Sequence, residues 1–206
     1  MSKLEQLKQK YYGRFKYELF ESCIPFWIQY GRDEKNGGVI NCLDREGKIF
    51  SEDKSVWMQG RCGWLFAWLC SLYGVKDEWL AASKSCLDFM EQYCINPDAE
   101  GRMYFTVTAD GRPLRQRRYY FSESFYAIAN AEYYALTGEK VYLDRAKQAY
   151  ELYWGLFRGL IDDPVGMGPK NHPRNPHGPQ LGPGHDLPEH LLRAAPLRSR
   201  PHGGIR

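Results

Sequence analysis

The chain has 206 residues, of which 15% are aromatic with six Trp, enough to pack one domain of ordinary size around a substantial core. Its formal charge of +3 is unevenly placed: residues 171–206 hold five Arg against one Asp and one Glu, so residues 1–170 sum to zero and a basic stripe for nucleic acid is not expected. The first ten residues are polar and the longest nearly uncharged apolar run, Cys62 to Tyr73, is short of the roughly 20 residues a membrane helix needs. A cytoplasmic protein with no membrane partner is expected.

Leu4 to Tyr30 reads as a long amphipathic helix, because Leu4, Leu7, Tyr11, Phe15, Leu19, Phe20 and Ile24 recur at helical spacings, and Pro25 is expected to kink or restart it. Asn36-Gly37-Gly38 then leads into a short strand, Val39 to Leu43, a Gly-containing turn at 44–47, and a second short strand, Lys48 to Phe50, which together predict a small hairpin. From Val56 to Tyr73 the chain is apolar on every face except near Gln59 and Arg61, the pattern of an inner helix wrapped by others, and Gly74 is placed to cap it. A charge there is costly to bury alone, so Arg61 serves either a structural ion pair or an anion- or carbonyl-binding role. Asp77 to Tyr93 is the next helix. The six cysteines fall mostly in apolar helical runs and never in a Cys-x-x-Cys pair, which reads as reduced core thiols.

The order then repeats. Met103 to Val107 and the turn at 108–112 predict a second hairpin, Tyr119 to Leu136 a second mostly apolar helix, Gly138 its cap, and Lys140 to Leu156 another outer helix. Gly37 and Gly101, Gly47 and Gly111, and Gly74 and Gly138 are each 64 residues apart, a period that marks a repeat architecture. Helical hairpins with nearly all-apolar inner helices most simply close into an α/α toroid with its hairpins at one mouth. The fold class is therefore all-α with small β-hairpins. By this register Arg61 lies opposite Phe125 and Gln59 opposite Glu123, so both polar clusters are expected at the same mouth.

Two regions follow: residues 1–170 as the folded unit, and 171–206 as a tail with seven of the twelve Pro and all five His, which is expected to be loose. The His spacings match no ligand pattern, and no metal site is expected.

Lys54-x-x-Trp57-x-Gln59-x-Arg61, the preceding Leu43-x-Arg45-Glu46-Gly47, and the later Asp110-Gly111-Arg112-Pro113 with Phe121-Ser122-Glu123-x-Phe125-Tyr126 resemble the N-acylglucosamine 2-epimerase (renin-binding protein) family over about residues 5–170. The resemblance implies the N-terminal part of an (α/α)6 barrel. It further implies a small-molecule amino sugar as partner, a homodimer, no cofactor beyond nucleotide activation in some members, and interconversion of N-acylglucosamine and N-acylmannosamine at C2. That reaction removes the proton α to the aldehyde of the open-chain sugar and returns it to the other face. Arg61 matches the active-site arginine, whose guanidinium can bind O1 as charge develops. Trp57 and Gln59 are candidate sugar contacts, and Glu123 a ligand-orienting or structural group. The family's proton-transferring histidines come from a C-terminal half, whereas residues 1–170 here contain no histidine. Codon degeneracy allows residues 171–189 to be read in a shifted frame as Pro-Glu-Thr followed by Met-x-x-Leu-Asn, similar to what the family has after its second repeat. The tail is thus expected to be a frameshift product and the chain truncated and impaired. Two other readings stay open: a glycoside hydrolase using Glu123 with Asp53 on an α/α toroid, and a non-catalytic partner-binding module.

Overall fold

The structure, a computed structural model, describes residues 2–116 and 119–163. The expectations for the tail after 170, its looseness, its shifted frame and its histidines, lie outside the described residues, as does the domain limit itself. Ser2 opens the first helix with a capping box, its hydroxyl accepting from the Glu5 N–H while the Glu5 carboxylate accepts from the Ser2 N–H. Lys3–Tyr17, Glu18–Cys23, Ile24–Phe26 and Trp27–Gly31 then run head to tail as one helix, α1. Pro25 does not restart it. The turns on either side of Pro25 widen to π register, in which the Ile24 N–H reaches the Leu19 carbonyl, and the helix passes the missing donor unbroken.

The remaining helices are α2 (Val56–Tyr73), α3 (Asp77–Tyr93), α4 (Phe121–Thr137) and α5 (Lys140–Phe157). Gly74 and Gly138, both at positive φ, end α2 and α4 as read from the sequence. Helix α2 packs on α3 and α4, and α4 on α2 and α5, so α2 and α4 are the inner pair and α1, α3 and α5 lie outside. Phe66, Leu69, Leu87, Phe89 and Met90 fill the space between them, each worth about 1.5–3 kcal/mol of burial. All six cysteines are free, four of them buried.

Helix α2 is not wrapped on every side. Its buried residues leave Trp64, Leu65 and Trp68 half-buried and Arg61 exposed. Arg61 is therefore not the buried charge that the apolar run suggests.

Two small sheets sit at the starts of the inner helices. Strands β1 (Cys42–Leu43) and β2 (Ile49–Ser51) form the first hairpin; β3 (Lys54–Ser55), β4 (Thr106–Val107) and β5 (Pro113–Arg115) form an antiparallel sheet in the order β3-β4-β5. Strand β3, absent from the sequence reading, ties the end of the first unit to the hairpin of the second. The two turns are built alike 64 residues apart: the Gly47 N–H donates to the Asp44 carbonyl as Gly111 does to Thr108, and the Asp44 N–H donates to the Lys48 carbonyl as Thr108 does to Arg112. Gly47 and Gly111 share φ near 90°, and a Cβ at either would strike a tyrosine ring, Tyr30 or Tyr93.

Candidate functional site

The same 64-residue correspondence governs the polar groups at the inner-helix starts. Val39 has its N–H and carbonyl both bonded to the Gln59 carboxamide, the N–H donating to Oε1 at 2.8 Å and Nε2 donating to the carbonyl at 2.6 Å. Val39 lies outside the first strand, which begins at Cys42, and forms an isolated antiparallel bridge with Arg32. In the second unit the Met103 N–H donates to Glu123 Oε1 at 2.9 Å, and Arg102 Nε donates to the same oxygen at 2.7 Å. Gln59 and Glu123, candidate sugar contacts by sequence, are thus fully buried and turned toward the loops they hold, not toward a mouth. Arg102 also donates to Asp163 and to the Tyr119 carbonyl, fixing Tyr119 at φ 57° just before α4. Burial works against the charge on Arg102, but the carboxylates, Glu123 foremost, outweigh it and hold the guanidinium pKa above its usual value. Glu123 Oε2 is buried with no hydrogen-bond partner among the described residues.

A second buried ion pair closes the first unit. Lys54 Nζ donates to Asp33 Oδ2 at 2.6 Å, to the Gly37 carbonyl at 2.6 Å and to the Ala109 carbonyl at 3.3 Å, and lies 4.2 Å from the Phe89 ring centre. Burial alone would raise the Asp33 carboxyl; the bonds from Lys54 and Asn36 outweigh it and hold its pKa below the usual 3.8. Lys54 therefore staples the first loop to the second turn.

What faces outward is an aromatic cluster carrying two arginines. The Trp57 ring meets Phe105 at 5.3 Å, Phe125 at 5.7 Å and Phe121 at 6.1 Å between centres. The Arg61 guanidinium lies 4.7 Å from the Phe125 centre and 5.5 Å from that of Trp57, so the residues that the register set opposite each other touch. The approach is close because Gly60 has no side chain: a Cβ there would stand 2.7 Å from Phe125 Cβ and 2.8 Å from its carbonyl oxygen. Arg61 forms no ion pair among the described residues, and it also borders an apolar cavity of about 220 Å³ with Leu19, Trp27, Met58 and Leu65. Arg115, on β5, rests its guanidinium 5.5 Å from the centre of Phe105.

The structure thus brings Arg61 and Trp57 together and separates both from Gln59 and Glu123. The carboxylate pair that hydrolysis needs is not assembled, since Glu123 is engaged by Arg102 while Asp53 stands exposed between β2 and β3. Phe105, Phe121, Phe125 and Arg115 were missed. The register carried a signal for two of them, Phe121 falling at the position of Trp57 and Phe125 at that of Arg61. Phe105 and Arg115 come together only through the β4–β5 pairing. Preorganised guanidinium on aromatic faces, open to solvent, can bind a developing oxyanion.

The family model for N-acylglucosamine 2-epimerase (GlcNAc 2-epimerase) matches residues 38–174. The N-acylglucosamine 2-epimerase of Rattus norvegicus is 33% identical over 173 residues, 82% of this chain and 40% of that protein. The cellobiose 2-epimerase of Dictyoglomus turgidum is 28% identical over 142 residues, 66% of this chain and 36% of that protein. Among solved structures, cellobiose 2-epimerase from Bacillus thermoamylovorans B4167 superposes with a TM-score of 0.63 at 26% identity, covering 70% of this chain and 37% of that one. The structural relatives are α/α toroids, and the chain spans about 40% of the length of the curated relatives it matches.

Proposed function

The chain belongs to the N-acylglucosamine 2-epimerase family, and from that premise we propose that it binds the open-chain form of a 2-acylamino sugar and supplies the carbonyl-holding half of a C2 epimerisation. The observation that carries this reading is Arg61, exposed at the start of α2, with its guanidinium laid on Trp57 and Phe125 and engaged by no acid among the described residues. Arg61 donates to O1 of the aldehyde as the C2–H bond breaks and the electron pair moves onto that oxygen, and Trp57 offers its ring to the apolar face of the sugar. The C2 proton needs an acceptor with a pKa near neutrality, and residues 1–170 contain no histidine to serve. That absence favours a second reading, binding without catalysis.

The two are separated by following loss of the C2 proton signal of N-acetylmannosamine in heavy water. Exchange above the buffer background that vanishes in Arg61→Gln supports the epimerase reading. Saturable binding without exchange leaves the binding reading, and neither binding nor exchange contradicts both.

A further inference from the structure

The frame holds its cations in two ways. Lys54 and Arg102 are gripped by carboxylates and carbonyls, and their N–H groups are engaged by those partners. Arg61 is seated on rings instead: it forms no ion pair among the described residues, and its guanidinium lies over Phe125 and Trp57. Trp57 is one turn earlier on the same helix, whereas Phe125 belongs to α4 and so to the second repeat. Of the two rings Phe125 is the nearer, at 4.7 Å against 5.5 Å between guanidinium carbon and ring centre, and it comes that close because Gly60 leaves no side chain between the helices. The negative face of a ring attracts a cation without accepting from the N–H groups at its edge, so a guanidinium seated there keeps its charge and its donors. A carboxylate in that place would take both.

We infer that Phe125 is a positioning residue for Arg61: the second repeat supplies the seat on which the guanidinium of the first repeat is set before the carbonyl oxygen arrives. The inference rests on the sugar-binding reading above and adds the residue that fixes the arginine's place. Phe125 touches no reacting atom. It acts by restricting the rotamers of Arg61 in the free protein, so that less side-chain freedom is lost when the sugar binds. Gly60 belongs to the same device, since a side chain there parts α2 from α4 and draws the ring away from the guanidinium.

The test keeps the shape of the ring and changes its electrostatics. Mono-, di- and trifluorinated phenylalanine are placed at position 125 of the full chain, each fluorine weakening the negative face with little change in size, and urea midpoints check that folding is equal. Binding of N-acetylmannosamine, followed by calorimetry, is expected to weaken stepwise along the series, by about two- to fivefold in all, the scale of one cation–π contact at an exposed site. In the sugar-free protein, the Arg61 Nε–H proton resonance is expected upfield of those of exposed arginines, and to move back toward them in Phe125→Leu. Binding that stays equal or tightens along the fluorinated series overturns the inference and leaves the sugar-binding reading standing. An Arg61 resonance that Phe125→Leu does not move overturns it as well, since the ring is then not the seat. If the wild type itself binds no sugar, the sugar-binding reading fails and the positioning role falls with it.

Discussion

In the first repeat the side chain at the start of the inner helix is a neutral carboxamide, Gln59, whose two ends satisfy the N–H and carbonyl of Val39. In the second, 64 residues on, it is the carboxylate of Glu123, which accepts from Met103 and Arg102 and has one oxygen without a partner among the described residues. The backbone plan is the same and the electrostatics are not. A carboxamide carries both a donor and an acceptor, so it closes a loop by itself; a carboxylate only accepts, and must be given a buried cation. The first unit keeps its own buried pair, Lys54 with Asp33, out in the loops, where Asp33 also accepts from Asn36. The second unit therefore closes its inner-helix start with an ion pair where the first closes it with a neutral carboxamide.

Arg102→Met should have the largest effect. It strands the Glu123 carboxylate, and stability should fall by about 3–5 kcal/mol in urea unfolding. Adding Glu123→Gln rebuilds the neutral clip of the first unit, and the double variant should regain most of the loss, a coupling that a double-mutant cycle measures. If the two losses simply add, the pair is not what distinguishes the units.

Gly60→Ala comes next. The new methyl meets Phe125 Cβ at 2.7 Å and its carbonyl at 2.8 Å, so α2 and α4 must part, at a cost of about 1–3 kcal/mol. Ser83→Ala, which removes a 2.6 Å hydrogen bond to the Gly63 carbonyl, should cost about 1 kcal/mol at the neighbouring crossing of α2 and α3.

The first unit should reveal itself in acid. Because the folded-state pKa of Asp33 is depressed, its contribution is complete above the unfolded value of 3.8 and is lost as pH falls through the folded one. The stability difference between the wild type and Asp33→Asn, followed by urea midpoints, should thus be constant at higher pH and shrink below 3.8. A difference that holds constant into strong acid would mean that Asp33 is not the charged member of the pair.

Much of this frame is legible in the sequence because it is written in periods. Gly74 and Gly138 stop their helices in the chain as in the structure, and the 64-residue register sets Arg61 against Phe125, where the guanidinium and ring do meet. Periodicity says which face a residue occupies and nothing about partners brought back by a loop. Gln59 and Glu123 therefore read as residues at a mouth, when each is bonded to backbone twenty residues earlier. The pairing of β3 with β4 joins strands more than fifty residues apart, and Pro25 is carried by π turns that no spacing announces. Arg61 looked buried because the run around it is apolar, yet it is exposed and the neighbouring Trp64 and Trp68 are only half-buried.

Arg61 is exposed, so Arg61→Met should leave the urea midpoint within experimental scatter of the wild type. That makes it the cleanest probe of the central claim, that this guanidinium holds the carbonyl oxygen of an open-chain amino sugar. The measurement is a titration of both proteins with N-acetylmannosamine, followed by tryptophan fluorescence. Saturable binding by the wild type that disappears in an equally stable Arg61→Met is the predicted result; equal binding by the two proteins would contradict it.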